Sequence, residues 1–351
     1  MSYPGSSVNA MNAGQQVLDF LYTTQLQVDD EWAVRTPNGF TWWAAESAQT
    51  VEIIGEETSP DGMTGYLVRV RTEMVAGLEL SDAAAAELNE SVMRFASMSG
   101  PAYDADTQTL SLCCLARVHD EIVPWMGMLL STAAVLQLAE VHFYGQEIAE
   151  HHGGHLAISG HPDRGVRQEP DEMAFAAIRL FNPANRQPLQ LQESDFEAAV
   201  TDYMMQPPSV GASAGGLGLT VEFPYGDASS LCQFLGGQDH PLLGNGLLIL
   251  QRFPHSAPSE ADGIRLALDF NRADLGEHPS GYGFGSYVYV DDTICFNGFI
   301  PNILLRDGIL PSFFYSCATR ALSMSERLLG KSWDENSFTL DHSAIGRAGL
   351  T

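Results

Sequence analysis

The sequence predicts an α+β fold made of two tandem copies of an α-β-β-β-α-β-β-α unit, each a small antiparallel sheet flanked by helices. Three observations carry this reading. In Thr109–Glu150, Leu110, Leu112, Cys114, Ala116 and Val118 fall on one side of a half-buried strand, and a long apolar helix then opens around Pro124. A similar combination returns near the C-terminus. Tyr287, Tyr289, Ile294 and Phe296 flank Asp291-Asp292-Thr293, and Phe314, Cys317, Ala318, Ala321, Met324 and Leu328 recur at helical spacing after Pro311. Finally, Gly65-Tyr66-Leu67-Val68-Arg69-Val70-Arg71 and Gly246-Leu247-Leu248-Ile249-Leu250-Gln251-Arg252 share glycine, leucine and arginine at equal offsets. A chain of 351 residues exceeds the usual size of one domain, so the copies are assigned to residues 1–165 and 166–351.

Taken in order, residues 1–9 are small and polar and read as disordered. Val17, Leu18, Leu21 and Tyr22 mark a helix over Asn12–Gln27. Strands follow at Phe40–Ala45, Thr50–Gly55 and Tyr66–Met74, with Pro60-Asp61-Gly62 turning between the last two. Ser81 caps an alanine-rich helix that runs to about Ala96. After the Thr109 strand, His119-Asp120-Glu121 reverses the chain into a short strand at Ile122-Val123 and then the long helix. This places Val118–Ile122 over Val290–Ile294 in the second copy. Gly, Pro and polar residues from His151 to Pro170 form the boundary, and Asp171–Phe181 fits a helix or a strand. Ser194–Met205 opens copy two as a helix stopped by Pro207-Pro208. Its strands are Gly218–Phe223, Ser230–Leu235, Gly246–Phe253 and Ile264–Phe270, with a short helix near Asn271–Leu275.

Charge narrows the range of partners. Seventeen Lys plus Arg against 44 Asp plus Glu give a net charge of −27, shared by both halves. Such a surface repels phosphate backbones and anionic lipid, so neither nucleic acid nor membrane is an expected partner. It fits a soluble cytosolic protein or one that receives a basic partner segment, and solubility alone is the plainer reading. Met1–Ala13 has no signal-peptide pattern, and the most apolar window, Ile122–Ala139, reads as a buried helix too short to span a bilayer. Five cysteines without framework spacing point to a reducing compartment, hence the cytoplasm.

Few motifs suggest chemistry. Gly211-Ala212-Ser213-Ala214-Gly215 has the nucleophile-elbow pattern, but a strand rather than a helix follows, so it reads as a linker. Five of ten histidines lie between 142 and 161. His151, His155 and His161 are the candidates for a metal or acid/base role, against the plainer reading of histidines beside a helix C-terminus. Gly281-Tyr282-Gly283-Phe284-Gly285 lacks the lysine of a phosphate loop and reads as a bulge or a close backbone crossing. Trp42, Trp43, Trp125, Tyr287 and Tyr289 read as core, and Glu56-Glu57 and Asp291-Asp292 as turn residues. No cofactor and no catalytic residue is expected.

The element order, the small acidic units and their duplication resemble the type III secretion chaperone-like and YbjN-like superfamily. That resemblance implies a protein-binding role, since secretion chaperones dimerise and hold unfolded segments of other proteins, and it supplies no catalytic residues. Two copies in one chain would make the dimer interface intramolecular, giving a monomer that acts as a pseudo-dimer. The leading expectation is therefore a non-enzymatic, chaperone-like polypeptide-binding module. The alternative is a hydrolase or metal-dependent enzyme using the inter-domain cleft and the His151–His161 cluster.

Overall fold

The computed structural model describes residues 11–58, 62–94, 96–180, 182–184, 186–189, 191–204, 210–213, 216–277, 283–306 and 309–330. The expected N-terminal disorder, Pro60-Asp61, Pro207-Pro208, Ala214-Gly215 and Gly281-Tyr282 lie outside the described residues. The first half consists of α1 (Ala13–Phe20), β1 (Ala33–Thr36), β2 (Gly39–Trp42), β3 (Gln49–Thr58), β4 (Thr64–Ala76), α2 (Asp82–Arg94), β5 (Gly100–Asp104), β6 (Thr109–Val118), α3 (Val123–His152) and β7 (His155–Leu156). A connecting stretch contains α4 (Ala176–Leu180) after a 3-10 turn at Glu172–Phe175. It leads to α5 (Glu193–Met204), β8 (Val210–Ser213), β9 (Gly216–Tyr225), β10 (Ala228–His240), β11 (Gly244–Pro254), α6 (Glu260–Asn271), β12 (Ser286–Val290), β13 (Thr293–Pro301) and α7 (Ile309–Leu329).

The two sheets have the same wiring. The first runs β1-β2-β3-β4-β6-β5, with β7 added beside β4, and the second runs β8-β9-β10-β11-β13-β12, all antiparallel. The layout is that of two repeats, and β1, β5, β7 and β8 stand beyond the strands expected. Register supports the Gly65/Gly246 match: Arg71 lies opposite Cys113 on β6, and Arg252 lies opposite Cys295 on β13.

Several expectations are corrected. The match of Val118–Ile122 to Val290–Ile294 slips by one strand, because β6 corresponds to β13 and the Asp291-Asp292 turn corresponds to the one between β5 and β6. Ile122-Val123 is no strand: residues 120–122 form a 3-10 turn that feeds α3 directly. Ile264–Phe270 lies within α6, capped by Ser259, whose hydroxyl accepts the Asp262 amide. The helix expected near Asn271–Leu275 is the π-turn that continues it. Glu56 and Glu57 lie on β3 rather than in a turn.

The strand expected to be half-buried is buried on both faces. Its Cys114 side packs in the core shared with α3, while Cys113 meets Ala102 of β5 and, from the other half, Leu275. That second covering comes from across the chain, which local alternation cannot show. α3, at 30 residues, is long and apolar enough to cross a bilayer, contrary to expectation. However, 78% of its most apolar stretch is buried inside the protein, as suits the main helix of a core.

The halves close on each other through α2, α6, β5 and β12. The outward backbone groups of β12 do not face solvent. Asn89 of α2 receives the Tyr289 amide at 2.8 Å and donates to the Tyr289 carbonyl at 2.9 Å, and Asn271 of α6 does the same for Tyr287 at 2.6 and 2.9 Å. One edge strand is thus closed by two buried amides, one from each half. Gly283 donates to Leu115 O at 2.9 Å across the same seam. Gly285 and Gly298 make the expected close crossing, since a Cβ on Gly298 would lie 2.0 Å from Phe284 O. Trp42, Trp43, Tyr287 and Tyr289 are buried.

Candidate functional site

Beside this seam lies a cavity of about 440 Å³. The exposed end of α2, the second half of α3, β5 and the β10–β11 turn of the other half enclose it. Leu88, Leu112, Ile148, Leu242 and Leu243 give it apolar walls. Polar groups reach it along one stripe of α3: Glu140, Tyr144, Glu147 and His151 follow one another at spacings of three and four, which stacks them on one helical face. Glu87 and Glu90 face them from α2. The lining therefore holds four carboxylates against the guanidinium of Arg94.

Glu140 is the unusual member. It is only 8% exposed, and its Oε1 accepts the Ser97 hydroxyl at 2.5 Å. Burial pushes its carboxyl up to about 7, outweighing the lowering effect of that hydrogen bond. Ser97 is held in turn where the halves meet, its carbonyl accepting the Phe299 amide. Beneath Glu140 a buried chain of side-chain hydrogen bonds runs from Trp42 through Gln49, Thr72 and Gln137 to Ser99, which fixes this part of α3 against β4.

His240, from the second half, is fully engaged. Its Nδ1 accepts the Leu242 and Leu243 amides, each at 3.0 Å, which leaves the proton on Nε2, donated to Ala96 O at 2.9 Å. Burial pulls its pKa down to about 4, so the ring is neutral at physiological pH. Neither nitrogen remains for proton transfer into the cavity.

The three candidate histidines are separated. His151 lines the cavity near the C-terminus of α3 and, with His152, contacts Glu87. His155 lies beyond the helix on β7, opposite Ala76, because Gly153 at φ 84° ends α3. His161 is buried in a tight loop, its ring edge-on to Trp43 at 5.1 Å and its Nδ1 accepting the Asp163 amide, which is a packing role. Gly211, Ala212 and Ser213, expected to be linker, instead belong to β8, paired with β9, so no helix follows Ser213 as a nucleophile elbow would need.

Sequence reasoning missed Glu140, His240 and the pairing of Glu87 with His152. A signal for Glu140 was present: it is the first charged residue in α3 after an uncharged run beginning at Val123, where a carboxylate must be buried or must face a cleft. His240 and Glu87 join only through tertiary packing. No protein-family model, no curated protein and no solved structure matches the chain.

Proposed function

We propose that the protein is a non-enzymatic, chaperone-like binding module that holds a polypeptide segment, with the seam cavity anchoring a basic side chain carried on an apolar stretch. One observation carries this reading: an apolar-walled cavity between the halves, with Glu90 and Glu147 around it and Glu140 in its depth. The carboxylates suit a lysine or arginine head, and the Leu and Ile walls suit its methylene stem and its apolar neighbours. A net charge of −27 steers basic segments toward the chain and accelerates their encounter. The resemblance to secretion chaperones supports the same reading. The internal pairing suits a monomer acting as a pseudo-dimer, and five unbridged, buried cysteines suit the cytoplasm. The alternative, a hydrolase or metal-dependent enzyme using the His151–His161 cluster, has less support, since only His151 of the three candidate histidines lines the cavity while His155 and His161 lie elsewhere.

Selection of binders from a random peptide-display library against the full chain tests the proposal. Enriched peptides should carry Lys or Arg between apolar residues, and the double charge reversal Glu90→Lys, Glu147→Lys should weaken them roughly tenfold or more, a cost of about 1.4 kcal/mol. Enrichment without basic residues, or affinity indifferent to that reversal, would overturn it.

A further inference from the structure

We propose that Glu87, His151 and His152 form a binding site for one borderline divalent transition-metal ion of the zinc type, at the rim of the seam cavity. Gly153 breaks α3 immediately after two consecutive histidines, so both rings sit at the C-terminus of a 30-residue helix, where the partial negative charge of the last carbonyls favours a cation. α2 brings Glu87 against them. His151 Nδ1 stands 3.3 Å from Glu87 Oε1, and His152 Nε2 stands 2.8 Å from Glu87 Oε2. One donor atom from each of the three residues lies within 4.8 Å of the others.

Donors about 2.1 Å from zinc, at angles between octahedral and tetrahedral, lie roughly 3.0–3.4 Å apart. The two close contacts fall near that span, and because they involve different oxygens of Glu87, a common ion would be held by both carboxylate oxygens or by one of them after a small turn of the side chain. Two imidazoles and one carboxylate suit zinc and its neighbours, whereas calcium and magnesium prefer oxygen alone. Exposure is graded, with the His152 side chain 11% accessible, Glu87 37% and His151 53%. One ligand is thus anchored, and a side remains open to water. Three protein ligands leave a further position for water or for a donor from the cavity's occupant. The simpler occupant of the same geometry is a pair of imidazole–carboxylate hydrogen bonds with no ion, and the test separates the two.

The full chain, stripped with chelator, is titrated with zinc chloride by calorimetry and with cobalt(II) by visible absorption, without any peptide, so the result does not depend on the polypeptide reading. One ion per chain is expected, with a tetrahedral or five-coordinate cobalt spectrum. Glu87→Gln and His152→Ala should each weaken binding roughly tenfold or more. His151→Ala, at an exposed position that keeps the fold, should do the same. His142→Ala and His155→Ala should leave both stoichiometry and affinity unchanged. Absence of saturable one-to-one binding, affinity unaffected by Glu87→Gln and His151→Ala, or equal loss in His155→Ala would overturn the site.

Discussion

Replacing Glu140 with glutamine keeps the shape of the side chain and leaves an oxygen to accept the Ser97 hydroxyl. What it removes is ionisation. In the folded protein this carboxyl titrates at about 7, against an ordinary 4.5. The folded state therefore binds the proton more tightly than the unfolded chain, and Glu140 contributes its full share of stability only below about pH 4.5. That share is lost as pH rises through about 7, since an ionised carboxylate must then be kept in an apolar cavity. A gap of about 2.5 pH units at 1.36 kcal/mol per unit gives about 3 kcal/mol between the two plateaus. Urea unfolding of the parent and Glu140→Gln, from pH 5 to 8.5, isolates this term, because the other titrating groups are common to both and cancel. The variant should gain on the parent by about 2 kcal/mol between pH 5 and 7, where the carboxyl is ionised in the unfolded chain but still protonated in the folded one, and the gain should level off above about pH 7. A constant difference, or a gain toward low pH, would refute the assignment of Glu140 as a buried carboxyl poised near neutrality.

Three further outcomes are expected. Asn89→Ala strips both partners from the Tyr289 backbone and should cost about 2–4 kcal/mol in urea unfolding with little change in slope, since two buried groups are left unsatisfied. His240 is held neutral with a pKa near 4 against 6.5 unfolded, so its contribution is complete above about pH 6.5 and is lost as pH falls toward 4. His240→Asn should therefore flatten the acid limb of the stability profile in differential scanning calorimetry. Gly100→Ala would place a Cβ 2.4 Å from Ser286 Cβ in the opposite half, so it should destabilise by about 1–3 kcal/mol, whereas Gly153→Ala, with nothing within 4 Å, meets only backbone strain.

What could be read in advance follows a physical division. The Gly65–Arg71 and Gly246–Arg252 strands were legible because a buried strand needs the same alternation in each copy, and they occupy equivalent places down to the arginine–cysteine register. α6 was misread because Ile264, Leu266, Leu268 and Phe270 alternate like a strand. The same stretch places Ile264, Ala267, Leu268 and Asn271 on one buried helical stripe, and the Ser259 cap settles which period applies. The two-sided burial of β6 was invisible locally because its second cover, Leu275, is more than 150 residues away in sequence. The site divides likewise. Of the α3 stripe only His151 was read in advance, although the spacing of Glu140, Tyr144, Glu147 and His151 put all four on one face, while Glu87 and His240 reach the cavity only when α2 and the second half pack against it.

Hydrogen–deuterium exchange of the full chain, with and without a selected basic-apolar peptide, tests the central claim most directly. Protection is expected at residues 87–94, 140–151 and 240–243, the three walls of the seam, with no change at β1. Protection confined to β1 or to α7, with the seam unaltered, would contradict the reading of the junction between the copies as the place where a polypeptide is held.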